Sequence, residues 1–281
     1  MRETPAPLNL QDTPTLVTGG GSGIGRSFAL AAAKRGAHVA VADIEQAAAE
    51  AVVQEIAALG GNASAFVVDV VDVGAVDAMV AHVVERFGGL NLLFNNAGVF
   101  AYGDLEHTSH ANFSWVFNVN VIGAFNVLKA AMPHINKAAE KGQFAHVVHT
   151  GSENSICVPG MGPFSAYTAS KHAVLGIADC LRRDVEGRGI GVSIVCPGPV
   201  RSQLWNAVRT RQSQFGGMRQ APKASSEVSQ TAQDPDDVAN LTFEGMAAGD
   251  FMIITDPAIK PFADRRIADV TAGFDSLSKR I

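Results

Sequence analysis

Short apolar runs alternate with helical segments of a dozen or more residues over most of the chain. Runs such as TLVTG, AHVAVAD and GVSIVCP are apolar almost throughout, which is typical of strands buried on both faces. Helical patterns separate the runs and indicate βαβ units with right-handed crossovers. The sequence therefore predicts an α/β fold, a single domain built on a three-layer, doubly wound parallel sheet.

Composition changes at the two ends of the chain and in one internal segment. We expect a polar tail over residues 1–13, the sheet domain over 14–256 and a helical extension over 257–281. Residues 201–234 are rich in Ser and Gln and weakly periodic, so they form either a disordered loop or a mobile lid over a pocket.

Charge and hydropathy exclude several classes of function. The 281 residues carry a net charge of -5 and contain no sustained Lys/Arg run, which argues against nucleic acid or an anionic membrane as a partner. The N-terminal residues show no signal peptide, and no apolar run is long enough to cross a bilayer, so we expect a cytoplasmic protein.

Cysteine and histidine positions do not favour a metal site. Cys157, Cys180 and Cys196 are widely spaced and match neither a zinc pattern nor a disulfide framework, so reduced thiols are expected. The eight histidines form no pair with a convincing ligand spacing. We expect no bound metal.

A glycine-rich loop, TGGGSGIG, joins the first strand to the first helix. The spacing of Gly19, Gly23 and Gly25 suits a tight turn that brings backbone N–H groups and the helix N-terminus to a pyrophosphate, as in a Rossmann fold. The loop lacks the Gly-Lys-Ser/Thr ending of a P-loop. A glycine-rich turn with no ligand is the alternative interpretation.

Asp43 ends the second strand, where a carboxylate can accept hydrogen bonds from an adenosine ribose and repel a 2′-phosphate. Neither Ser22 nor Ile44 offers a cation to such a phosphate, so the sequence favours NAD over NADP. Arg26, a nearby positive charge, is the one feature that points the other way.

Tyr167 precedes Lys171 by four residues in a predicted helix, so the two side chains share one face. A lysine so placed would lower the tyrosine pKa and make the phenol an acid/base group, but the spacing alone also fits an ordinary surface lysine.

The chain carries, in order, the motifs TGGGSGIG, NNAG, NVIG, HTGS, YTASK and PGPV. With this set it resembles the short-chain dehydrogenase/reductase family, and the resemblance runs over about 15–248. The resemblance implies that Tyr167 is the general acid/base, that Lys171 assists it and binds the nicotinamide ribose, that Ser152 holds the substrate oxygen and that Asn120 holds a water. It also implies a set of NAD-binding residues: Gly19, Ser22, Gly23, Ile24, Gly25, Asp43, Ile44, Asp69, Val70, Asn96, Ala97, Gly98, Tyr167, Lys171, Pro197, Gly198, Val200 and Ser202.

Two departures from the family pattern affect the site. The interval from Ser152 to Tyr167 is two residues longer than usual, which makes Ser155 a competing candidate, although Ser152 follows the strand directly. The usual C-terminal DGG is absent, which puts the family's C-terminal tetramer contact in doubt.

Five large side chains lie in loops at the predicted carboxyl ends of strands, where such folds bind substrate. These residues are Phe100, Tyr102, Met161, Phe164 and Trp205. They predict a bulky apolar or aromatic secondary alcohol or ketone as substrate, although core packing is the other explanation.

We expect a homodimer or homotetramer. The alternatives are an NADPH-preferring carbonyl reductase, a lyase on the same scaffold, and a non-catalytic NAD-binding sensor.

Overall fold

Seven parallel strands form one twisted sheet in the order β3-β2-β1-β4-β5-β6-β7. The computed structural model describes residues 8–160, 162–219 and 232–280. The strands are β1 (Pro14–Thr18), β2 (His38–Asp43), β3 (Asn62–Val67), β4 (Leu92–Asn95), β5 (His146–Thr150), β6 (Gly191–Cys196) and β7 (Met252–Ile254). The predicted doubly wound α/β fold is confirmed.

Helices cover both faces of the sheet. They are α1 (Gly23–Lys34), α2 (Gln46–Ala58), α3 (Val73–Phe87), α4 (His110–Phe117), α5 (Ala124–Glu140), α6 (Ser165–Asp184), α7 (Pro235–Ala248) and α8 (Lys260–Ser278). Successive residues of a strand point to opposite faces. Leu16 and Leu93 accordingly pack into the core under α3 to α6, whereas Val17 and Phe94 pack into the core under α1, α2 and α7.

Local signals in the sequence set several helix ends. Asp234 accepts a hydrogen bond from the Asp236 N–H and precedes a proline at the first turn of α7, a favourable N-terminus. Gly36 and Gly88 follow α1 and α3 with φ of 90° and 80°, a left-handed conformation that glycine adopts most easily.

The long helix predicted around Asn120 is interrupted. A π-helical turn, Asn118–Gly123, separates α4 from α5. By length and composition His110–Glu140 could cross a membrane, but half of its most apolar window is buried in the fold, as in the core helix of a globular domain.

The two terminal segments differ in how they pack. Leu10, in the predicted polar tail, is fully buried and donates its N–H to the Arg35 carbonyl. α8 has no buried residue, and Ile267, Val270 and Phe274 on it are exposed.

Residues 203–210 and 213–215, in the predicted lid, form short 3-10 turns. The rest of the predicted lid, 220–231, lies outside the described residues.

Candidate active site

A cleft opens at the carboxyl ends of β1, β4 and β5. The strand order reverses between β1 and β4, because the chain returns from β3 across β2 and β1 to continue on the other side. Doubly wound sheets bind ligands at such a switch point. Every residue predicted to bind the dinucleotide lines this one cleft.

The glycine loop has the backbone that its sequence predicts. Gly19 and Gly23 have φ of 61° and 52°, and a Cβ on Gly25 would lie 2.0 Å from the Gly19 carbonyl oxygen. The Asn96 side chain holds the loop from β4, donating Nδ2–H bonds to the carbonyls of Thr18 (2.9 Å) and Gly19 (3.2 Å). The loop therefore leaves the α1 N-terminus open to a pyrophosphate, and a nicotinamide dinucleotide fits these residues.

Asp43 lies beside this loop at the end of β2. Its Oδ2 accepts the Gly21 N–H at 2.9 Å and its Oδ1 accepts the Glu45 N–H at 3.0 Å, so the carboxylate is held at the mouth of the adenosine half. Arg26 forms an ion pair with Glu55, and its pKa is raised mainly by that hydrogen bond. The charge of Arg26 is therefore balanced within α1 and α2.

A second cation, which the sequence interpretation missed, lies at the same end of the cleft. Arg209 reaches across from the first 3-10 turn, and its Nε donates to Glu45 Oε1 at 3.3 Å. Gln212 follows it and donates from Nε2 to both carboxylate oxygens of Asp69 at 3.0 Å. The segment around 203–215 thus bridges the ends of β2 and β3, and Asp69 already has a partner from it.

Tyr167 and Lys171 lie in the first turns of α6, on the face turned toward β5. The Lys171 ammonium lies 5.5 Å from the centre of the Tyr167 ring and donates to the Thr150 carbonyl at 2.7 Å. Both side chains are buried, with 7% and 5% of their surfaces exposed. They are therefore core residues and not the surface pair that the spacing also allowed.

Burial dominates the electrostatics of this pair. It raises the pKa of Tyr167 above its ordinary value, and the nearby Ser152 hydroxyl only partly offsets this. Burial also lowers the pKa of Lys171 to about 8. The expectation that Lys171 lowers the phenol pKa is not met in this environment, because burial, which disfavours the phenolate, has the largest effect.

Ser152 and Ser155 have different tasks in the structure. Ser152 lines the cleft at the end of β5, and its Oγ accepts the Asn154 N–H at 3.2 Å. Ser155 is fully buried, and its Oγ accepts the Ser152 N–H at 3.1 Å, which closes a capping box. The geometry favours Ser152 as the residue that meets a substrate.

Asn120 sits in the π-helical turn rather than in a regular helix. Its Oδ1 accepts the Val99 N–H at 2.7 Å, and its Nδ2 donates to the Val99 carbonyl and to Ser170 Oγ, each at 3.0 Å. Asn120 therefore fastens the loop after β4 to α6, just behind Tyr167.

Aromatic rings form a wall next to the Tyr167 phenol. Phe100 is at its centre, with ring centroids 5.1 Å from Tyr167, 5.0 Å from Phe164 and 4.9 Å from Trp205. Tyr102 packs edge-on behind Phe100 at 4.8 Å and does not line the cleft. Met161 lies outside the described residues. The structure therefore brings four of the five predicted substrate residues together.

Further cleft residues were not anticipated from sequence. Among them are the polar residues Glu45, Thr150, Glu153, Asn154, Arg209 and Gln212. Thr150 lies within the HTGS motif and Glu153 directly follows it, so these two carry a sequence signal. Arg209 and Gln212 reach the cleft through contacts between segments far apart in the chain.

Residues 14–213 match the family model described as short chain dehydrogenase. The chain belongs to the short-chain dehydrogenase/reductase family. Relatives in this family carry names such as oxidoreductase, dehydrogenase and reductase.

Two relatives illustrate the range of the family. The chain is 34% identical over 213 residues to the probable oxidoreductase EphD of Mycobacterium tuberculosis, covering 74% of this chain and 35% of that protein. It therefore spans about a third of the length of that relative. It is 30% identical over 233 residues to the (2S)-[(R)-hydroxy(phenyl)methyl]succinyl-CoA dehydrogenase subunit BbsD of Thauera aromatica, covering 83% of this chain and 88% of that one.

Two solved structures contain different dinucleotides. A short-chain dehydrogenase/reductase from Burkholderia phymatum in complex with NAD has a TM-score of 0.87 and 31% identity, covering 95% of this chain and 96% of that one. A short chain dehydrogenase from Burkholderia cenocepacia in complex with NADP has a TM-score of 0.73 and 33% identity, covering 89% and 98%. Nicotinamide cofactors of both kinds therefore occur among the structural neighbours.

Proposed function

We propose that this protein is an NAD-dependent dehydrogenase of an aromatic secondary alcohol, with the corresponding ketone as product. The observation that carries the proposal is the position of the Tyr167 phenol, at the point where the dinucleotide cleft, the Ser152 strand end and the aromatic wall meet. A Thauera relative whose name contains a hydroxy(phenyl)methyl group, a benzylic secondary alcohol, supports the aromatic assignment.

In this proposal the residues of the chain hold the alcohol and move its proton. Ser152 donates a hydrogen bond to the alcohol oxygen, which becomes more negative as the carbon–hydrogen bond breaks. Tyr167 accepts the hydroxyl proton in oxidation and returns it in reduction. Lys171, held by the Thr150 carbonyl, supplies positive charge on the same side of the phenol. A bound nicotinamide dinucleotide supplies the hydride acceptor.

The preference for NAD rests on Asp43. Its carboxylate lies where the adenosine ribose is expected, and it would repel a 2′-phosphate. The rival assignment, an NADPH-preferring reductase, is favoured by Arg209 at the same end of the cleft, but Glu45 balances the Arg209 charge. We therefore retain NAD as the proposed cofactor.

The predicted substrate lid, 201–234, remains a proposal, supported by the contacts that Arg209 and Gln212 make at the cleft. A homodimer or homotetramer also remains a proposal, supported by Ile122 and Phe125, which are 48% and 50% exposed where the π-helical turn joins α5. Location in the cytoplasm remains a prediction.

A spectrophotometric screen tests the function. Purified protein is given NAD or NADP with 1-phenylethanol, cyclohexanol, 2-butanol and a steroid alcohol, and formation of reduced dinucleotide is followed at neutral and alkaline pH. We expect turnover with the aryl alcohol, fastest with NAD. Dinucleotide binding in calorimetry without oxidation of any alcohol or reduction of any ketone would instead support a sensor.

A further inference from the structure

Glu153 is a carboxyl group inside the active-site cleft that the proposed reaction does not use. It directly follows Ser152, begins the 3-10 turn Glu153–Ser155 and is only 8% exposed. Its backbone is fixed on both sides, because its N–H donates to the Pro197 carbonyl at 2.8 Å and its carbonyl accepts the Cys157 N–H at 3.2 Å. The location of the Glu153 side chain is therefore set by the fold.

The Glu153 carboxyl has no balancing partner within the part of the chain that the structure describes. Asp43 and Asp69 in the same cleft accept hydrogen bonds, whereas neither a cation nor a hydrogen bond favours the Glu153 carboxylate. Burial and the nearby Asp256 carboxylate instead raise the pKa of Glu153 to about 7. Buried carboxyl groups are normally paired, so an unpaired one in a cleft points to a partner group on the ligand.

The surroundings limit what that partner can be. Glu153 directly follows Ser152 and lines the same cleft as Ser152 and Tyr167, so it lies at the end of the cleft where the alcohol is proposed to react. The aromatic wall of Phe100, Phe164 and Trp205 lines the same cleft. The Glu153 carboxylate would repel an anionic substituent, whereas a hydroxyl or a protonated amine would donate a hydrogen bond to it.

We propose that Glu153 is a specificity-determining residue that accepts a hydrogen bond from a donor group on the carbon next to the carbinol carbon of an aryl secondary alcohol. The substrate class is thus an aryl carbinol with a neighbouring hydroxyl or ammonium group. This inference rests on the proposed dehydrogenase function and narrows its substrate.

Four related alcohols test the proposal. With NAD, kcat/KM is measured for 1-phenylethane-1,2-diol, 2-amino-1-phenylethanol, 1-phenylethanol and mandelate, using both enantiomers of each. These compounds carry a hydroxymethyl, an ammoniomethyl, a methyl and a carboxylate group, respectively, on the carbinol carbon. We expect the diol or the amino alcohol to exceed 1-phenylethanol by roughly tenfold or more, with mandelate the poorest.

Substitutions at Glu153 distinguish the two donors. In Glu153→Gln the amide oxygen still accepts from a hydroxyl, so a preference for the diol is largely kept, whereas a preference for the amino alcohol falls roughly tenfold. In Glu153→Leu both preferences are lost. Glu140→Gln, which removes an exposed carboxylate at the end of α5, is the matched control and should keep the wild-type ratios.

Ratios between substrates are compared, so a general loss of activity in a variant does not obscure the result, and thermal melting shows whether each variant is folded. If the wild-type protein has the same kcat/KM for 1-phenylethanol, the diol and the amino alcohol, the proposed role of Glu153 is wrong. The dehydrogenase function would still stand. Ratios that stay unchanged in Glu153→Leu would lead to the same conclusion. Absence of turnover of all four alcohols with either dinucleotide would overturn both proposals.

Discussion

At the scale of single residues, burial changes what a motif can do. The Tyr167–Lys171 spacing suggests a lysine that stabilises phenolate, but both side chains lie in the core, where charge is costly. Burial raises the pKa of Tyr167 and lowers that of Lys171. Burial therefore favours the neutral phenol over the phenolate that accepts the alcohol proton in oxidation.

Replacing Tyr167 by Phe removes the proton donor and keeps the ring that packs against Phe100. We expect kcat to fall roughly 10²- to 10⁴-fold, the usual contribution of a positioned acid or base, with the Kd for NAD nearly unchanged. Tyr102→Phe is the matched control, since Tyr102 is the other tyrosine of the chain and lies behind Phe100. Tyr167→Phe with undiminished turnover would show that another group transfers the proton.

Asp43→Ala tests the choice of dinucleotide. The substitution removes the proposed ribose acceptor and the charge that repels a 2′-phosphate. We expect the ratio of kcat/KM for NAD over NADP to fall roughly tenfold or more, the effect of one charged hydrogen bond. Asp77→Ala, on the exposed side of α3, is the control for loss of one acidic charge. An unchanged ratio would mean that Arg209 and Glu45, rather than Asp43, determine the preference between NAD and NADP.

At the scale of elements, irregular segments bring the site together. The π-helical turn Asn118–Gly123 places Asn120 where it binds both the loop after β4 and Ser170 on α6. The two 3-10 turns after β6, 203–210 and 213–215, bring Arg209 to Glu45 and Gln212 to Asp69. Regular helices and strands supply the frame, and these short turns aim the side chains.

We expect the Arg209–Glu45 ion pair to hold the 3-10 turn 203–210 over the bound cofactor. In Arg209→Ala the closed arrangement loses one partly exposed ion pair, which contributes about 0.2–1 kcal/mol at such positions. We therefore expect the Kd for NAD to rise roughly two- to fivefold, with faster release of the dinucleotide in stopped-flow fluorescence. Arg183→Ala, an exposed arginine on α6, is the control. Tighter binding in Arg209→Ala would mean that the contact obstructs the cleft rather than closing it.

At the scale of the whole molecule, the sheet divides the interior into two apolar cores. Within one of them β5 carries His149, which is fully buried and has no hydrogen-bond partner for either ring nitrogen among the described residues. Burial, and to a lesser extent the Lys171 charge, lower the pKa of His149 to about 4. Folding therefore keeps this histidine neutral well below its ordinary pKa.

This histidine predicts a loss of stability in acid. Below pH about 6.5 His149 binds a proton in the unfolded chain, but in the folded chain it stays neutral down to about pH 4. The free energy of unfolding therefore falls as the pH falls from about 6.5 to about 4. Between pH 7.5 and 5 the contribution is about 2 kcal/mol, at 1.36 kcal/mol per unit. Urea titrations give the free energy of unfolding at the two pH values. The difference between these two values should be smaller in His149→Leu than in wild type by that amount. His110→Leu, which removes an exposed histidine, should behave as wild type. An equal pH dependence in His149→Leu and wild type would contradict the prediction.

The sequence by itself determined the fold class and the order of the site's parts. Buried strands, helix ends and the glycine loop are local patterns, and each reflects a preference of a few neighbouring residues. Parallel strands then place their carboxyl ends on one edge, so Asp43, Asn96 and Ser152 converge without any knowledge of packing. For this reason the predicted dinucleotide residues all line one cleft.

Only the tertiary structure decided the electrostatics and the long-range contacts. Arg209 lies 164 residues from Glu45, and Gln212 lies 143 residues from Asp69, so no spacing rule could connect them. The pKa values of Tyr167 and Lys171 depend on how completely the fold excludes water, which spacing does not report. Glu153 also becomes informative only when the fold buries it in the cleft with no partner among the described residues, because the sequence shows which groups are present but not which of them pair.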